Sequence, residues 1–128
     1  MDTIANFIIQ LKNASQTGKE TVFFPHSKMC AGIADVLEKE GFIKVEVKKG
    51  KKTGKLLEIK IQSVDGNPKI TNVKRISKPS KRIYYAANQL RPVRSGFGRL
   101  ILSTSKGILS GKQARDAKMG GEALFEIW

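Results

Sequence analysis

Arg99-Leu100-Ile101-Leu102-Ser103-Thr104-Ser105-Lys106-Gly107 is the stretch on which the reading of this chain turns. Its first four residues read as a strand. Three hydroxyl side chains, an ammonium and a glycine then stand where the strand gives way to a turn, and Ser110-Gly111-Lys112-Gln113 follows as the start of a helix. Hydroxyls donate and accept over short range and suit phosphate oxygens, ribose 2′-OH groups and base edges. Lys106 adds a point charge for phosphate. Gly107 can take positive φ and let a ligand approach the backbone. An ordinary hydrophilic turn has the same composition, so the surroundings must decide.

Working outward, the second half of the chain is β-rich. Ile70 to Ile76 reads as a strand and Ser77-Lys78-Pro79-Ser80 as a turn. Arg82-Ile83-Tyr84-Tyr85 can extend a sheet, and a short helical piece near Ala86 to Leu90 is stopped by Pro92. Ser110 with Gln113 makes a capping box for a helix that Gly120 can end, and Ala123 to Trp128 reads as a last strand. Towards the N-terminus, Ile4, Phe7, Ile8 and Leu11 recur at the spacing of one buried helical face, with Ile9 off that face and Asp2 as a cap. Thr21 to Phe24 is a short β-prone run. Ser27 caps a second helix whose apolar stripe is Cys30, Ile33, Ala34 and Leu37. Ile43, Val45 and Val47, then Leu57, Ile59 and Ile61, alternate with charged residues on either side of a basic turn, Lys48 to Lys55. The expectation is an α+β protein of two small lobes. An α-β-α-β-β lobe covers residues 1–65 and a mainly β lobe with short helices covers 66–128, divided at the turn Asp65-Gly66-Asn67-Pro68.

The charge separates the halves more sharply. The 128 residues carry a net charge of +13, which points to a polyanionic partner. Residues 1–64 hold 11 Lys against 7 acids, while residues 65–128 hold 13 Lys and Arg against 4 acids. All six arginines lie in the second half, and no Asp or Glu occurs from Gly66 to Arg115. A surface built only for solubility mixes both signs. A one-signed stretch containing Lys78, Arg82, Arg91 and Arg94 is suited to phosphate. Tyr84 and Tyr85 would face opposite sides of a strand, one in the core and the other free to stack on a base or ribose.

Other chemistries find little support. The single Cys30 excludes an internal disulfide and fits a reducing cytoplasm. With His26 as the only histidine, a zinc site lacks its usual ligands. His26 and Cys30 are four apart, but Cys30 falls on the apolar stripe. No run of apolar residues is long enough to span a membrane, and the apolar residues after Asp2 are periodic, unlike those of a signal peptide. The competing class is an enzyme using Ser103 or Ser105 with Lys106 on a phosphorylated substrate. The run lacks the frame of a phosphate-binding P-loop and the partner motifs of an acylating serine.

The same residues resemble a known family, bacterial-type small ribosomal subunit protein eight. The resemblance is close at Ser103 to Gly107, Ala114-Arg115 and Gly120-Gly121-Glu122. It continues through Arg75 to Pro79, Arg82-Ile83-Tyr84 and Gly96-Phe97-Gly98, and through Asp2 to Asn13, Pro25 to Lys28 and Val36 to Ile43 in the first half. It implies a non-enzymatic protein without cofactor, small-molecule substrate or membrane partner, located in cytoplasmic ribosomes beside other small-subunit proteins. It further implies binding to a helix in the central domain of small-subunit ribosomal RNA, early in assembly, and a side role in repressing translation of its own operon. By the resemblance, Ser103, Thr104, Ser105, Lys106, Tyr84 and Glu122 approach RNA. Gly107, Arg82, Lys78, Arg91, Arg94 and Lys28 complete the expected RNA-binding set. The first helix departs from the family: where many members carry a Thr and two Arg, this chain has Ile9-Gln10-Leu11-Lys12.

Overall fold

The computed structural model describes residues 3–49, 54–64, 67–90 and 98–128. The chain divides into two compact units, Met1–Thr71 and Asn72–Trp128. Both are α+β. The turn expected to separate the lobes includes Asp65 and Gly66, which lie outside the described residues, as does the Asp2 cap.

In the first unit, α1 (Thr3–Thr17) and α2 (Lys28–Lys39) accompany a three-stranded antiparallel sheet. Its order is β1 (Thr21–Pro25), β3 (Lys55–Ile61), β2 (Ile43–Lys49). A small pair, β4 (Ser63–Val64) with β5 (Asn67–Pro68), follows. The helical periodicity buries Phe7, Ile8 and Leu11 on α1 and Cys30, Ile33, Ala34 and Leu37 on α2. Phe7 meets Phe24 of β1 edge-on, ring centroids 5.2 Å apart. Such a pair adds about 0.5–1.5 kcal/mol to the burial of its rings. Ile9 stays exposed. Ser27 caps α2 by accepting from the Cys30 amide at 3.1 Å. At the other end of α2, Glu38 Oε2 accepts from the Val45 amide at 2.8 Å, so a helix side chain closes part of the open edge of β2.

Two departures from the periodicity have local causes. Val47 continues the alternation of Ile43 and Val45 yet is 55% exposed, because it stands near the far end of the β2–β3 hairpin among Lys48, Lys49 and Lys55. Ile70 does not open the next strand. It is buried in the first unit, where its carbonyl accepts from the buried Ser15 hydroxyl at 2.6 Å.

The second unit is built on β10 (Gly121–Ile127). Along one edge it pairs with β6 (Val73–Arg75) and then β7 (Tyr84–Tyr85). Along the other it pairs with β8 (Arg99–Thr104), which in turn pairs with β9 (Gly107–Ser110). A 3-10 turn covers Ala87–Gln89, and α3 spans Gly111–Asp116. A register shift between Ala123 and Phe125 marks a bulge, and Ala123, Leu124 and Phe125 are all buried. Leu90, Leu100, Leu102, Ala114 and Ala123 form one core cluster, joined by Ile76, Ile83, Tyr85 and Leu109.

The capping box forms as expected, with Ser110 Oγ accepting from Gln113 N at 3.2 Å and Gln113 Oε1 from Ser110 N at 3.0 Å. Two expectations about its surroundings change. Thr104 does not lead directly through a turn to the helix, because the four-residue strand β9 intervenes. Gly120 does not end the helix either. Lys118 does so at φ +56°, with Met119 N donating back to the Ala114 carbonyl at 2.8 Å. Gly120 and Gly121 instead open β10 where neighbouring backbone leaves no room. A Cβ on Gly120 would strike the Tyr85 carbonyl oxygen, and one on Gly121 the Ser103 carbonyl oxygen. The two glycines let β10 slide between β7 and β8, and that placement assembles the site.

Candidate nucleic-acid interface

Glu122 of β10 lies directly opposite Tyr84 of β7 and directly opposite Ser103 of β8. Residues directly opposite in an antiparallel ladder share a face. Tyr84, Glu122 and Ser103, distant in sequence, therefore form one cross-strand row roughly 10 Å wide. Ile108 of β9 extends it. The adjacent Tyr85 pairs with Gly121 and turns to the core cluster, while Tyr84 is 67% exposed. Period two thus puts one tyrosine in the core and offers the other to solvent.

The carboxylate in the middle of this row is held in place. The Ser77 hydroxyl donates to Glu122 Oε2, and Arg82 donates to the same oxygen at 3.0 Å. Ser77 is fully buried, and its oxygen also accepts from the Ile83 amide at 3.2 Å. Burial pushes the Glu122 carboxyl up. The hydrogen bonds from Ser77 and Arg82, with the charges of Arg82 and Arg75, outweigh that push and hold it below the ordinary carboxylate value. Glu122 Oε1 accepts no hydrogen bond from any described residue.

Two hairpins carry the other candidates of this unit. Lys78 and Lys81 exchange backbone hydrogen bonds, each at 3.0 Å, so Pro79 and Ser80 form the tip and both lysines are exposed. In the β8–β9 hairpin the Thr104 hydroxyl donates to the Gly107 carbonyl at 2.8 Å and accepts from the Lys106 amide at 3.2 Å. Gly107 takes φ +108°. A glycine at positive φ after a tight turn matches the twist of the flanking strands at no side-chain cost. Ser105 and Lys106 project from this turn, exposed, and the hydroxyls of Ser103 and Ser105 take no part in hydrogen bonds with described residues. The five-residue run thus splits. Ser103 belongs to the row, Thr104 and Gly107 build the turn, and Ser105 and Lys106 are presented by it.

Lys28 belongs to the first unit, exposed at the first residue of α2. Arg91 and Arg94 lie outside the described residues. Besides Lys81, exposed in the basic stretch, two residues of the site were not singled out from sequence as site residues. Ser77 reads as a turn hydroxyl, and nothing local announces a partner 45 residues away. Ile108 sits in a strand too short to show alternation.

The chemistry of the alternatives is weak at this site. Cys30 is fully buried, and burial pushes its thiol up against the lowering effect of Ser27, which suppresses the thiolate that a nucleophile requires. Among the described residues, no group of three or more His, Cys, Asp or Glu is placed to hold a metal ion. No helix among them is long and apolar enough to cross a membrane.

A family model described as Ribosomal protein S8 matches residues 2–128. The chain is 44% identical over 127 residues to the small ribosomal subunit protein uS8 of Mycoplasmopsis agalactiae, covering 99% of this chain and 97% of that one. It is 43% identical over 129 residues to the protein of the same name from Bdellovibrio bacteriovorus, with both chains covered in full. With that of Hahella chejuensis the identity is 41% over 127 residues, covering 99% of this chain and 97% of the relative. The chain belongs to the ribosomal protein S8 family and is a structural protein of the ribosome, not an enzyme.

Proposed function

We propose that the second unit binds a helix in the central domain of small-subunit ribosomal RNA, and that the protein thereby helps to assemble that part of the subunit in the cytoplasm. The observation that carries this reading is the row Tyr84–Glu122–Ser103, an exposed aromatic ring, a fixed carboxylate and a hydroxyl on one sheet face. The ring offers a stacking surface for a base or ribose. The carboxylate accepts from a base amino group or a 2′-OH and repels phosphate, so it reads rather than anchors. Lys78, Lys81 and Lys106 stand exposed on the two hairpins of this unit and supply phosphate contacts, together with Arg91 and Arg94 of the acid-free stretch. Lys28 adds a contact from the first unit. Neighbouring small-subunit proteins are the other partners. Repression of the protein's own operon would use the same face on a similar helix in the messenger.

Footprinting the purified chain on small-subunit ribosomal RNA tests this. Protection of one defined central-domain helix, weakened by Tyr84→Ala, is the expected result. Protection spread evenly along the RNA and indifferent to Tyr84→Ala would overturn it.

A further inference from the structure

We infer that Ser77 is a positioning residue for RNA recognition: its hydroxyl, together with the Arg82 guanidinium, pins Oε2 of Glu122 and leaves Oε1 as a fixed acceptor for a donor group on the RNA. The inference rests on the RNA-binding reading above and adds to it the residue that orients Glu122 towards the group it takes, a base amino group or a ribose 2′-OH.

Ser77 is fully buried, so it acts through Glu122 and does not touch the ligand. Its hydrogen-bonding capacity is committed in one direction. The oxygen accepts from the Ile83 amide, so the hydroxyl proton is left for the carboxylate. The serine is itself anchored to the strand that carries Glu122. Ser77 N donates to the Ala123 carbonyl at 2.9 Å, and Ala123 N donates to the Ile83 carbonyl at 2.9 Å. Three backbone segments therefore fix the oxygen that fixes Glu122.

Two consequences follow for the side chains around it. A glutamate on a free surface samples many rotamers and loses that freedom when it binds. Here much of the ordering is completed on folding, so less is lost when RNA arrives. Arg82 also changes role. Its guanidinium, half exposed, donates to the carboxylate at 3.0 Å, so it serves the reading group before it serves phosphate. Glu122→Gln is then a sharp probe. Its carbonyl oxygen can take the place of Oε2 against Ser77 and Arg82, but the other end becomes an NH2 donor where the RNA requires an acceptor.

The test is a double-mutant cycle on the full chain, with wild type, Ser77→Ala, Glu122→Gln and the double variant. Each is titrated with a central-domain transcript of small-subunit ribosomal RNA and with an unrelated RNA duplex of equal length. Ser77→Ala should weaken the transcript about tenfold in the wild-type background and less than about twofold when Glu122 is already Gln, as expected for coupled neighbours. It should leave the unrelated duplex unchanged. A carboxyl NMR titration should show the Glu122 midpoint rising in Ser77→Ala, a readout that general loosening of the fold would not move at this residue alone. Arg82→Ala, a surface change, should show the same dependence on Glu122 and serves if Ser77→Ala fails to fold. Equal losses in both backgrounds, with wild-type discrimination intact, would overturn the positioning role alone. Equal binding of both RNAs by the wild-type chain would overturn the RNA-binding reading itself, and the positioning role with it.

Discussion

The Thr104 hydroxyl reaches across the β8–β9 turn to the Gly107 carbonyl at 2.8 Å while accepting the Lys106 amide at 3.2 Å. One side chain thus satisfies two backbone groups of the turn, whereas Ser105, next to it, is exposed and takes no part in hydrogen bonds with described residues. The two hydroxyls should separate in experiment. Thr104→Ala should cost about 0.5–1.5 kcal/mol of stability and weaken cognate and unrelated RNA alike. Ser105→Ala should leave the melting temperature unchanged and weaken the cognate helix by about 1–3 kcal/mol, from RNA groups left unpaired. Thermal melts alongside titrations of the two RNAs check the pair. A loss of stability for Ser105→Ala equal to that of Thr104→Ala would return the whole run to an ordinary turn.

Gly121 tests how the site is assembled. A Cβ there would strike the Ser103 carbonyl oxygen and come within 3.1 Å of Thr104 Cγ2. Overpacking against backbone costs about 1–3 kcal/mol or more, so Gly121→Ala should lower stability and disturb the row, shifting the amide resonances of Tyr84 and Ser103. At Gly111 the nearest atom to an added Cβ is Leu100 Cβ at 3.3 Å. Gly111→Ala should therefore be milder, with some of its cost offset by better helix propensity. Denaturant unfolding of the two variants ranks them.

The depressed carboxyl of Glu122 predicts a pH dependence with a definite sign. A group whose folded value lies below its unfolded one binds fewer protons in the folded state. Glu122 therefore adds stability above the ordinary glutamate value of about 4.3, and that stability is lost as pH falls through the folded value. Glu122→Gln should flatten the acid limb of the stability curve and leave its alkaline limb unchanged, as read from melts across the acid range. An unaltered acid limb would mean that Ser77 and Arg82 do not favour the ionised form.

Much of this was legible in the sequence where one residue's neighbours decide its place. The helical faces of α1 and α2, the alternation of β3, the two capping serines and the division of labour between Tyr84 and Tyr85 all follow from spacing. The run 103–107 was visible as chemistry but not as geometry, because β9 has only four residues, one apolar side chain on each face, and no period to detect. Ser77 was illegible as a site residue for a different reason. A serine before Lys-Pro-Ser is an ordinary turn former, and its burial depends on β6, β7 and β10 meeting around it. The function of Gly120 was misread because a glycine after a short helix suits a cap, while close approach of Tyr85 and Ala86 backbone is a tertiary fact.

The exposed ring and the exposed lysines should differ in how their loss responds to salt. Lys78 is exposed on its hairpin, and no ion pair engages it among the described residues. If it meets phosphate, Lys78→Ala releases one fewer counterion on binding. It should weaken all RNAs about equally and flatten the slope of log affinity against log salt by roughly 0.7–0.9. Arg82 already spends its charge on Glu122 at 3.0 Å, so Arg82→Ala should change that slope less than Lys78→Ala while costing more on the cognate helix. Tyr84 carries no charge. Tyr84→Ala should leave the slope where it was and cost about 1–3 kcal/mol of binding at every salt concentration, the value of a stacked base. Because Tyr84 is 67% exposed, the folded state should lose little. Tyr85→Ala, which removes a ring from the core cluster, should instead destabilise the unit by about 2–5 kcal/mol. Titrations at three or more salt concentrations, with melts of each variant, separate the four. If Tyr84→Ala flattened the slope as Lys78→Ala does, the ring would be acting on the phosphate contacts around it and not as a platform for a base.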